Sequence, residues 1–231
     1  MRRKALNPRQ QMVATLQKFL APQLTEALQK ERITALDVGC GTGAASTYSL
    51  YQFLKGLKNR GNLRVFGIDD GIIQRGIFRL DELELIEHFV LAESSDAEKL
   101  LEKTNGKKFD IITFFNPSIP HSQVPALLLE QANMLFLREL FPDSASIPLP
   151  GISEQIFRTL FLEVFPALLV SNGIVFTATD GDFLTPELIH RLAEDKYHIF
   201  VDRTNDPENI TPSVGYNKQV IGLRRKAISY L

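Results

Sequence analysis

The stretch LDVGCGTG, Leu36–Gly43, decides how the rest of the chain is interpreted. Its three glycines are spaced two residues apart, and Asp37 stands two residues before the first of them. The apolar run 33–38 leads into the stretch, and apolar residues at helical spacing follow it. A turn without side chains lets a ligand approach the backbone closely. The stretch therefore predicts a strand, a glycine turn and a helix that form a binding crevice at the carboxyl edge of a sheet.

Strands and helices alternate along the rest of the chain, which is typical of a parallel sheet with helical crossovers. The connection 203–217 contains no good helix, so the two strands that it joins are expected to pair antiparallel. We predict an α/β fold: a doubly wound, mostly parallel seven-stranded sheet with an antiparallel last strand and helices on both faces. The predicted strands are 33–38, 63–69, 88–92, 109–115, 173–180, 197–202 and 218–225.

Several helices are predicted between these strands. The first follows the glycines, and Ser95–Glu98 has the spacing of a capping box that begins another. Thr185-Pro186 has the pattern of a cap followed by proline at the first helical position. The remaining helices are predicted over 71–80, 123–141 and 153–170.

The whole chain, 1–231, is predicted to form one domain with a helical extension over 1–32. In that extension, Asn7-Pro8 has the pattern of a helix start, and Pro22 interrupts the helix. The formal net charge of −1 argues against a nucleic-acid partner. The single cysteine excludes an intramolecular disulfide and a multi-cysteine metal site. No signal peptide or membrane-spanning run is evident, so we expect a cytoplasmic protein without a metal or a membrane partner.

Two cofactor classes fit a glycine turn of this kind. A dinucleotide site favours the spacing G-x-G-x-x-G, whereas this chain has G-x-G-x-G followed by Ala44. The Asp37 carboxylate would disfavour a doubly negative pyrophosphate and would favour a ligand with a cationic ammonium group.

The stretch 36–43 resembles, at each position, the glycine loop of the class I S-adenosylmethionine-dependent methyltransferases. The resemblance covers 33–225 through the strand order and the reversed last strand. It implies that the loop wraps the methionine part of the cofactor, that an acid after the second strand binds the ribose hydroxyls, and that an acid and a small residue after the third strand bind the adenine. The implied cofactor residues are Asp37, Gly39, Cys40, Gly41, Gly43, Asp69, Asp70, Asp96, Ala97 and Asn116.

Two of these residues have a simpler structural interpretation. Asp96 can also serve only to begin a helix, and Cys40 is expected to contribute packing rather than chemistry, because nothing in the sequence supplies a base for its thiol.

The acceptor is expected near the end of the fourth strand, in FFNPSIPH, 114–121. Asn116-Pro117 partly matches the Asn-Pro-Pro-aromatic motif of amino-group methyltransferases, but Ser118 and Ile119 depart from it, which argues against DNA adenine or glutamine as the acceptor. Asn116 and His121 are the catalytic candidates, His121 as a general base. Two aspartates after the fifth strand, Asp180 and Asp182, are expected at the same edge.

A second, partial resemblance is to the chemotaxis-receptor glutamate O-methyltransferases. The stretches GTGAASTYSL, RGIFRLDEL and DIITFFN follow that family in order and spacing. However, Ala44 and Ala45 replace its acidic pair, and about 32 residues precede the first strand, too few for its N-terminal helical domain. Methylation of a protein carboxyl group stays an alternative.

The region 117–152 is longer than a plain crossover requires, and its helix is apolar on nearly every face. It is either part of the core, a dimer face or a substrate cap, and a cap would suit a small apolar or aromatic acceptor. The sequence thus predicts methyl transfer from S-adenosylmethionine to a small molecule. The alternatives are a NAD(P)-dependent oxidoreductase and a cofactor-binding protein without catalytic activity.

Overall fold

The computed structural model describes residues 8–40, 44–57, 62–69, 83–91, 93–115, 156–179, 184–202 and 219–227. The seven strands are β1 (Arg32–Val38), β2 (Asn62–Ile68), β3 (Leu83–Ile86), β4 (Phe109–Phe115), β5 (Leu169–Thr179), β6 (Tyr197–Asp202) and β7 (Gln219–Arg225). The α-helices are α1 (Pro8–Thr15), α2 (Thr25–Gln29), α3 (Ala45–Leu57), α4 (Ser95–Lys103), α5 (Phe165–Leu168) and α6 (Pro186–Asp195). None of the helices within these ranges is long and apolar enough to span a bilayer.

The strands form one sheet in the order β3-β2-β1-β4-β5-β7-β6. The strands β1 to β5 pair in parallel with one another, and β7 pairs antiparallel with both β5 and β6. The predicted fold class is therefore confirmed: six strands run in one direction and the last strand is reversed. From the central pair β1 and β4, the chain continues through β2 and β3 on one side and through β5, β7 and β6 on the other. The strand order therefore reverses between β1 and β4, and such a reversal leaves a crevice between the carboxyl ends of the two strands.

Each face of the sheet carries its own apolar core. The first face packs against α4, α5 and α6 through residues such as Leu36, Ile112 and Val175. The second face packs against α1 and α3 through residues such as Ala35 and Ile111. Side chains alternate between the two faces along each strand, which is why both sets of strand residues are buried.

The N-terminal segment belongs to the second core. Leu16, Leu20 and Leu24 are fully buried there, and their spacing of four residues places them on one side of the segment. Arg224 donates to the Gln23 carbonyl at 2.9 Å. This packing makes 8–29 an integral layer of the fold. The chain is helical from Pro8 onward, Asn7 lies outside the described residues, and the predicted interruption around Pro22 is confirmed by a 3₁₀ turn over Ala21–Gln23.

The amino end of β4 is bonded to the residues that join this layer to β1. The Asp110 carboxylate is 8% exposed, pairs with Lys30 and accepts from the Thr34 amide at 2.9 Å. It therefore links the start of β1 to the segment before it.

The predicted third strand at 88–92 is wrong: β3 is Leu83–Ile86. His88 has a φ of +56°, which turns the chain out of the extended conformation just after β3. Phe89 and Leu91 are nevertheless buried in the core. The loop 88–91 is apolar because it packs Phe89 and Leu91 into the core, and a short apolar run does not distinguish that case from a strand.

Two other boundaries differ from the prediction. β5 begins at Leu169 rather than 173, and its pairing with β4 shifts register between Phe109 and Ile111, beside an Asn172 with a φ of +61°. α4 begins at Ser95, so Ser94 rather than Ser95 is the cap residue, and the Ser94 side chain makes no cap hydrogen bond; the predicted capping box does not form. The Thr185 cap is confirmed, because its side chain accepts from the Leu188 amide at 3.2 Å. The predicted helices 71–80 and 123–141 lie outside the described residues.

A π-helical turn, Leu160–Val164, precedes α5. In this turn the Phe165 amide donates to the Leu160 carbonyl, and the next residue, Pro166, has no N–H to offer the Phe161 carbonyl. The buried hydroxyl of Tyr197 donates to that carbonyl at 2.9 Å. Burial raises the pKa of Tyr197, so the hydroxyl keeps its proton and stays a donor.

Tyr197→Phe is expected to lower the free energy of unfolding by about 1–3 kcal/mol, because a buried carbonyl loses its donor. Chemical unfolding at neutral pH measures this difference. Tyr51→Phe is the control: the Tyr51 hydroxyl contacts Lys55, an exposed residue whose ammonium group can return to water. Equal losses in the two variants would contradict the assigned role of Tyr197.

Candidate cofactor-binding site

The turn between β1 and α3 lies at the carboxyl edge of the sheet. Gly39 has a φ of +69°, which a residue with a side chain adopts only under strain. The amides of Gly39 and Cys40 both donate to the Ile68 carbonyl, at 2.9 and 3.1 Å, and so hold the turn against the end of β2. Ala44, just before α3, has a φ of +45°. Gly41 and Gly43 lie outside the described residues.

Asp37 is fully buried beneath this turn and is surrounded by hydroxyl groups. Its Oδ1 accepts from Thr113 Oγ1 at 2.7 Å, and its Oδ2 accepts from Ser46 Oγ at 2.5 Å and from Thr47 Oγ1 at 2.8 Å. Burial, and to a smaller extent the charge of Asp69, raises the pKa of Asp37 to about 6, although the three hydroxyl bonds oppose the rise. The carboxylate is therefore held in place by neutral donors.

The strand register explains why this cluster forms. Gly67 on β2 and Thr113 on β4 are both register partners of Asp37, so the three residues share the sheet face that α3 covers. A side chain at position 67 would overlap Thr47: a Cβ there would lie 2.5 Å from Thr47 Oγ1. The glycine thus leaves room for the first turn of α3 to reach Asp37.

Sequence reasoning missed Gly67 and the three hydroxyl residues. The available signal was a polar residue inside an apolar strand. Thr113 interrupts the apolar run of FDIITFF, and Ser46 and Thr47 lie in the first turn of the helix after the glycines. That these residues meet Asp37 depends on strand pairing, which a single sequence does not specify.

Asp69 follows β2 directly and is held by two backbone bonds to the β3 side. Its amide donates to the Ile86 carbonyl at 3.2 Å, and its carbonyl accepts from the Phe89 amide at 3.1 Å. The side chain is partly exposed, and its charge contributes to the raised pKa of Asp37. The structure thus brings Asp37 and Asp69 into one electronegative region at the carboxyl edge. Asp70 lies outside the described residues.

Cys40 is buried and packs with Ala44 and Leu85. Burial, with a smaller effect from the Asp37 charge, raises the pKa of the Cys40 thiol to about 12. The thiol stays protonated near neutral pH, which supports a packing role over nucleophilic chemistry.

Asp96 lies in the first turn of α4. Its Oδ2 accepts from the Glu93 amide at 3.1 Å and its Oδ1 pairs with Lys99 at 3.2 Å, which are the contacts of a residue that begins a helix. The neighbouring Ala97 is 2% exposed and belongs to the first core. Both residues follow β3 in the chain, at the carboxyl edge.

An aromatic cluster adjoins the turn at the end of β4. The Phe114 ring lies 5.4 Å from the Phe157 ring and 5.9 Å from the Phe165 ring, measured between centroids. A Cβ at Gly39 would lie 3.8 Å from the Phe114 ring, so this cluster reaches the turn itself. Sequence reasoning did not identify it.

The remaining predicted residues lie outside the described part of the chain: Asn116, His121, Asp180 and Asp182. Asn116 follows β4 directly in the sequence. Within the described ranges, no group of three or more His, Cys, Asp or Glu residues is arranged to hold a metal ion.

The sequence matches no protein-family model, and no curated protein matches it significantly. A Listeria monocytogenes structure described as a class I S-adenosylmethionine-dependent methyltransferase matches with a TM-score of 0.53 and 14% identity, over 96% of this chain and 61% of that chain. This likeness, together with the strand order, shows that the chain has the class I methyltransferase fold.

Two weaker structural matches cover more of the other chain. A Plasmodium falciparum structure described as a ribosomal RNA methyltransferase has a TM-score of 0.49 at 14% identity, over 97% of this chain and 98% of that chain. The precorrin-6y C5,15-methyltransferase of Geobacter metallireducens has a TM-score of 0.46 at 14% identity, over 98% and 93%. At this level of similarity neither bears on the acceptor.

Proposed function

We propose that the chain binds S-adenosylmethionine at the glycine turn and transfers its methyl group to a small-molecule acceptor. The observation that carries the proposal is the buried Asp37 carboxylate beneath the turn. No Lys or Arg in the described part of the chain forms an ion pair with it. A buried charge is costly unless a partner balances it, and the cationic groups of this cofactor would supply that balance.

The same geometry disfavours the nicotinamide alternative. A dinucleotide would bring its pyrophosphate to the turn, where Asp37 and Asp69 already concentrate negative charge. The partly exposed Asp69 is the residue that the sequence resemblance assigns to the ribose hydroxyls. Asp96 and Ala97 would lie on the adenine side.

S-adenosylmethionine supplies an activated methyl group on a sulfonium, so the protein needs mainly to align the acceptor. Alignment of this kind can lower a barrier by roughly 7–11 kcal/mol. A general base is required only when the acceptor must lose a proton, and His121 is the proposed base with Asn116 beside the acceptor. Support for a small apolar or aromatic acceptor comes from the net charge of −1, the apolar sequence of 117–152 and the aromatic cluster around Phe114.

Thermal unfolding in the presence of S-adenosylmethionine, S-adenosylhomocysteine, NAD or NADP tests the cofactor. A ligand at 100 times its dissociation constant stabilises the native state by about 2.7 kcal/mol. That corresponds to a rise in Tm of roughly 5–10 °C for a chain of this size. We expect this rise with the two adenosyl sulfur compounds and none with the dinucleotides. The opposite pattern would assign the site to hydride transfer, and binding without turnover on an acceptor panel would indicate a non-catalytic protein.

Asp69→Ala is expected to weaken S-adenosylmethionine binding by roughly 3 kcal/mol, about a hundredfold or more in Kd, because two hydrogen bonds to a charged acceptor are lost. Isothermal titration calorimetry measures the change. The matched control is Asp202→Ala, since Asp202 is an exposed acid that ends the edge strand β6. An unchanged Kd in a folded Asp69→Ala variant would remove Asp69 from the site.

A further inference from the structure

We propose that Ser46, Thr47 and Thr113 are positioning residues that hold the Asp37 carboxylate ionised beneath the turn, in the state that a cationic cofactor requires. This inference rests on the proposed function, because it assigns a role to Asp37 in binding S-adenosylmethionine. The three residues are called the hydroxyl triad below.

The directions of the three hydrogen bonds indicate that the Asp37 carboxylate is ionised. Each hydroxyl has one proton, and in the triad each oxygen lies within 2.5–2.8 Å of a carboxylate oxygen. An ionised carboxylate only accepts hydrogen bonds, so all three donors match it at once. A protonated carboxyl group would have to donate one bond itself, and one hydroxyl would have to turn around. The arrangement thus favours the ionised form.

Burial favours the protonated form of Asp37, whereas the hydroxyl triad favours the ionised form. Asp37 has no exposed surface, and Asp69, at the end of β2, adds a second negative charge to its surroundings. Cys40, just after Asp37 in the chain, stays neutral over the relevant range because burial raises the pKa of its thiol to about 12. The first turn of α3 carries no acidic residue, and β4 faces Asp37 with the neutral Thr113. The balance between burial and the hydroxyl bonds therefore decides the charge of Asp37 near neutral pH, where its pKa is about 6.

The positions of the donors give the triad a second effect. Ser46 and Thr47 lie in the first turn of α3, directly after the glycine turn, and Thr113 lies on β4, across the crevice. Ser46 Oγ also lies 3.5 Å from the Cys40 carbonyl, which is part of the turn. The triad therefore connects both sides of the crevice to one carboxylate, and it fixes where the negative charge stands relative to the turn.

Thr113→Val tests the proposal because it removes one hydroxyl and preserves the shape of the side chain. We expect the pKa of Asp37 to rise by about one unit, since a hydrogen bond to a charged group is lost. Binding of S-adenosylmethionine should then weaken about twofold at pH 7 and about fivefold at pH 6, and it should recover at pH 8.5. Thr113→Ser keeps the hydroxyl and should keep the wild-type pH profile.

Thr177→Val is the matched control. Thr177 is 1% exposed, as buried as Thr113, but its hydroxyl donates to the Phe114 carbonyl instead of Asp37. It should leave the pH midpoint of binding unchanged even if it lowers stability. Calorimetric titrations between pH 5 and 9 measure the binding profile, and carboxyl ¹³C NMR of the free proteins reports the Asp37 titration without any ligand.

The outcomes separate the two proposals. If the wild type binds S-adenosylmethionine but Thr113→Val shifts neither the NMR titration nor the binding midpoint relative to Thr177→Val, the role of the triad is overturned and the proposed function stands. If the wild type binds no S-adenosylmethionine at any pH, the proposed function is overturned together with this inference. An upward shift in both measurements, confined to Thr113→Val, supports it.

Discussion

Gly67→Ala is expected to lower the free energy of unfolding by about 3 kcal/mol or more, from overpacking and from the loss of a hydrogen bond to a charged group. The new Cβ would lie 2.5 Å from Thr47 Oγ1 and 3.0 Å from Thr47 Cγ2. Rotation of Thr47 cannot relieve this overlap, because it exchanges one branch of the side chain for the other. Helix α3 would have to move away from the sheet, and Thr47 would leave Asp37.

Gly56→Ala provides the control, because Gly56 lies in α3, the helix that carries Thr47. A Cβ at Gly56 meets nothing within 4 Å. This variant should be more stable than the wild type by about 0.5–1 kcal/mol, because alanine is the better helix former. Urea unfolding of both variants measures the difference.

A second substitution distinguishes the proposed overlap from a general effect on β2. Thr47→Ala removes the two Thr47 atoms that the new methyl group would meet, whereas Leu85 Cδ2, 2.9 Å from the new Cβ, stays in place. Combined with Gly67→Ala, it should recover part of the lost stability, and a double-mutant cycle measures the coupling. Strict additivity of the two substitutions would show that Gly67 does not serve to admit Thr47.

Asp37→Asn is expected to stabilise the free protein at pH 7, although it should impair cofactor binding. Burial raises the pKa of Asp37 from 3.8 to about 6 in the folded chain. The native state therefore binds the proton more tightly than the unfolded state, and stability from this group is fully present below pH 4 and is lost as the pH rises through 6. The shift of about two units corresponds to about 3 kcal/mol.

Comparison of the wild type with Asp37→Asn separates the contribution of Asp37 to stability from the contributions of the other carboxyl groups. Between pH 4 and pH 7, the wild type should lose about 3 kcal/mol of unfolding free energy relative to Asp37→Asn. Urea unfolding at pH 4, 5, 6 and 7 measures both curves. Parallel curves would mean that Asp37 titrates normally and is not desolvated. A stabilised variant that binds S-adenosylmethionine weakly would show that the carboxylate is kept for binding at a cost in stability.

The sequence alone determined the fold class and the location of the crevice. Helical crossovers require parallel strands, and an irregular last connection requires an antiparallel pair, so the alternation of segments was sufficient to predict the sheet. LDVGCGTG placed the glycine turn after β1, and the structure has the strand and the helix on either side of it. These features are local, or follow from local features through general rules of chain connection.

The tertiary structure decided which residues meet. The run that begins at His88 is as apolar as a strand, but residues 88–91 form a loop that buries Phe89 and Leu91, and a short apolar run does not distinguish a strand from such a loop. Asp37 was identified from its place before the glycines, whereas its burial and its hydroxyl partners depend on the pairing of β1 with β2 and β4. The neutral Gly67 and Thr113 carry no motif. Their role comes from register across the sheet, and register is set by the packing of the whole domain.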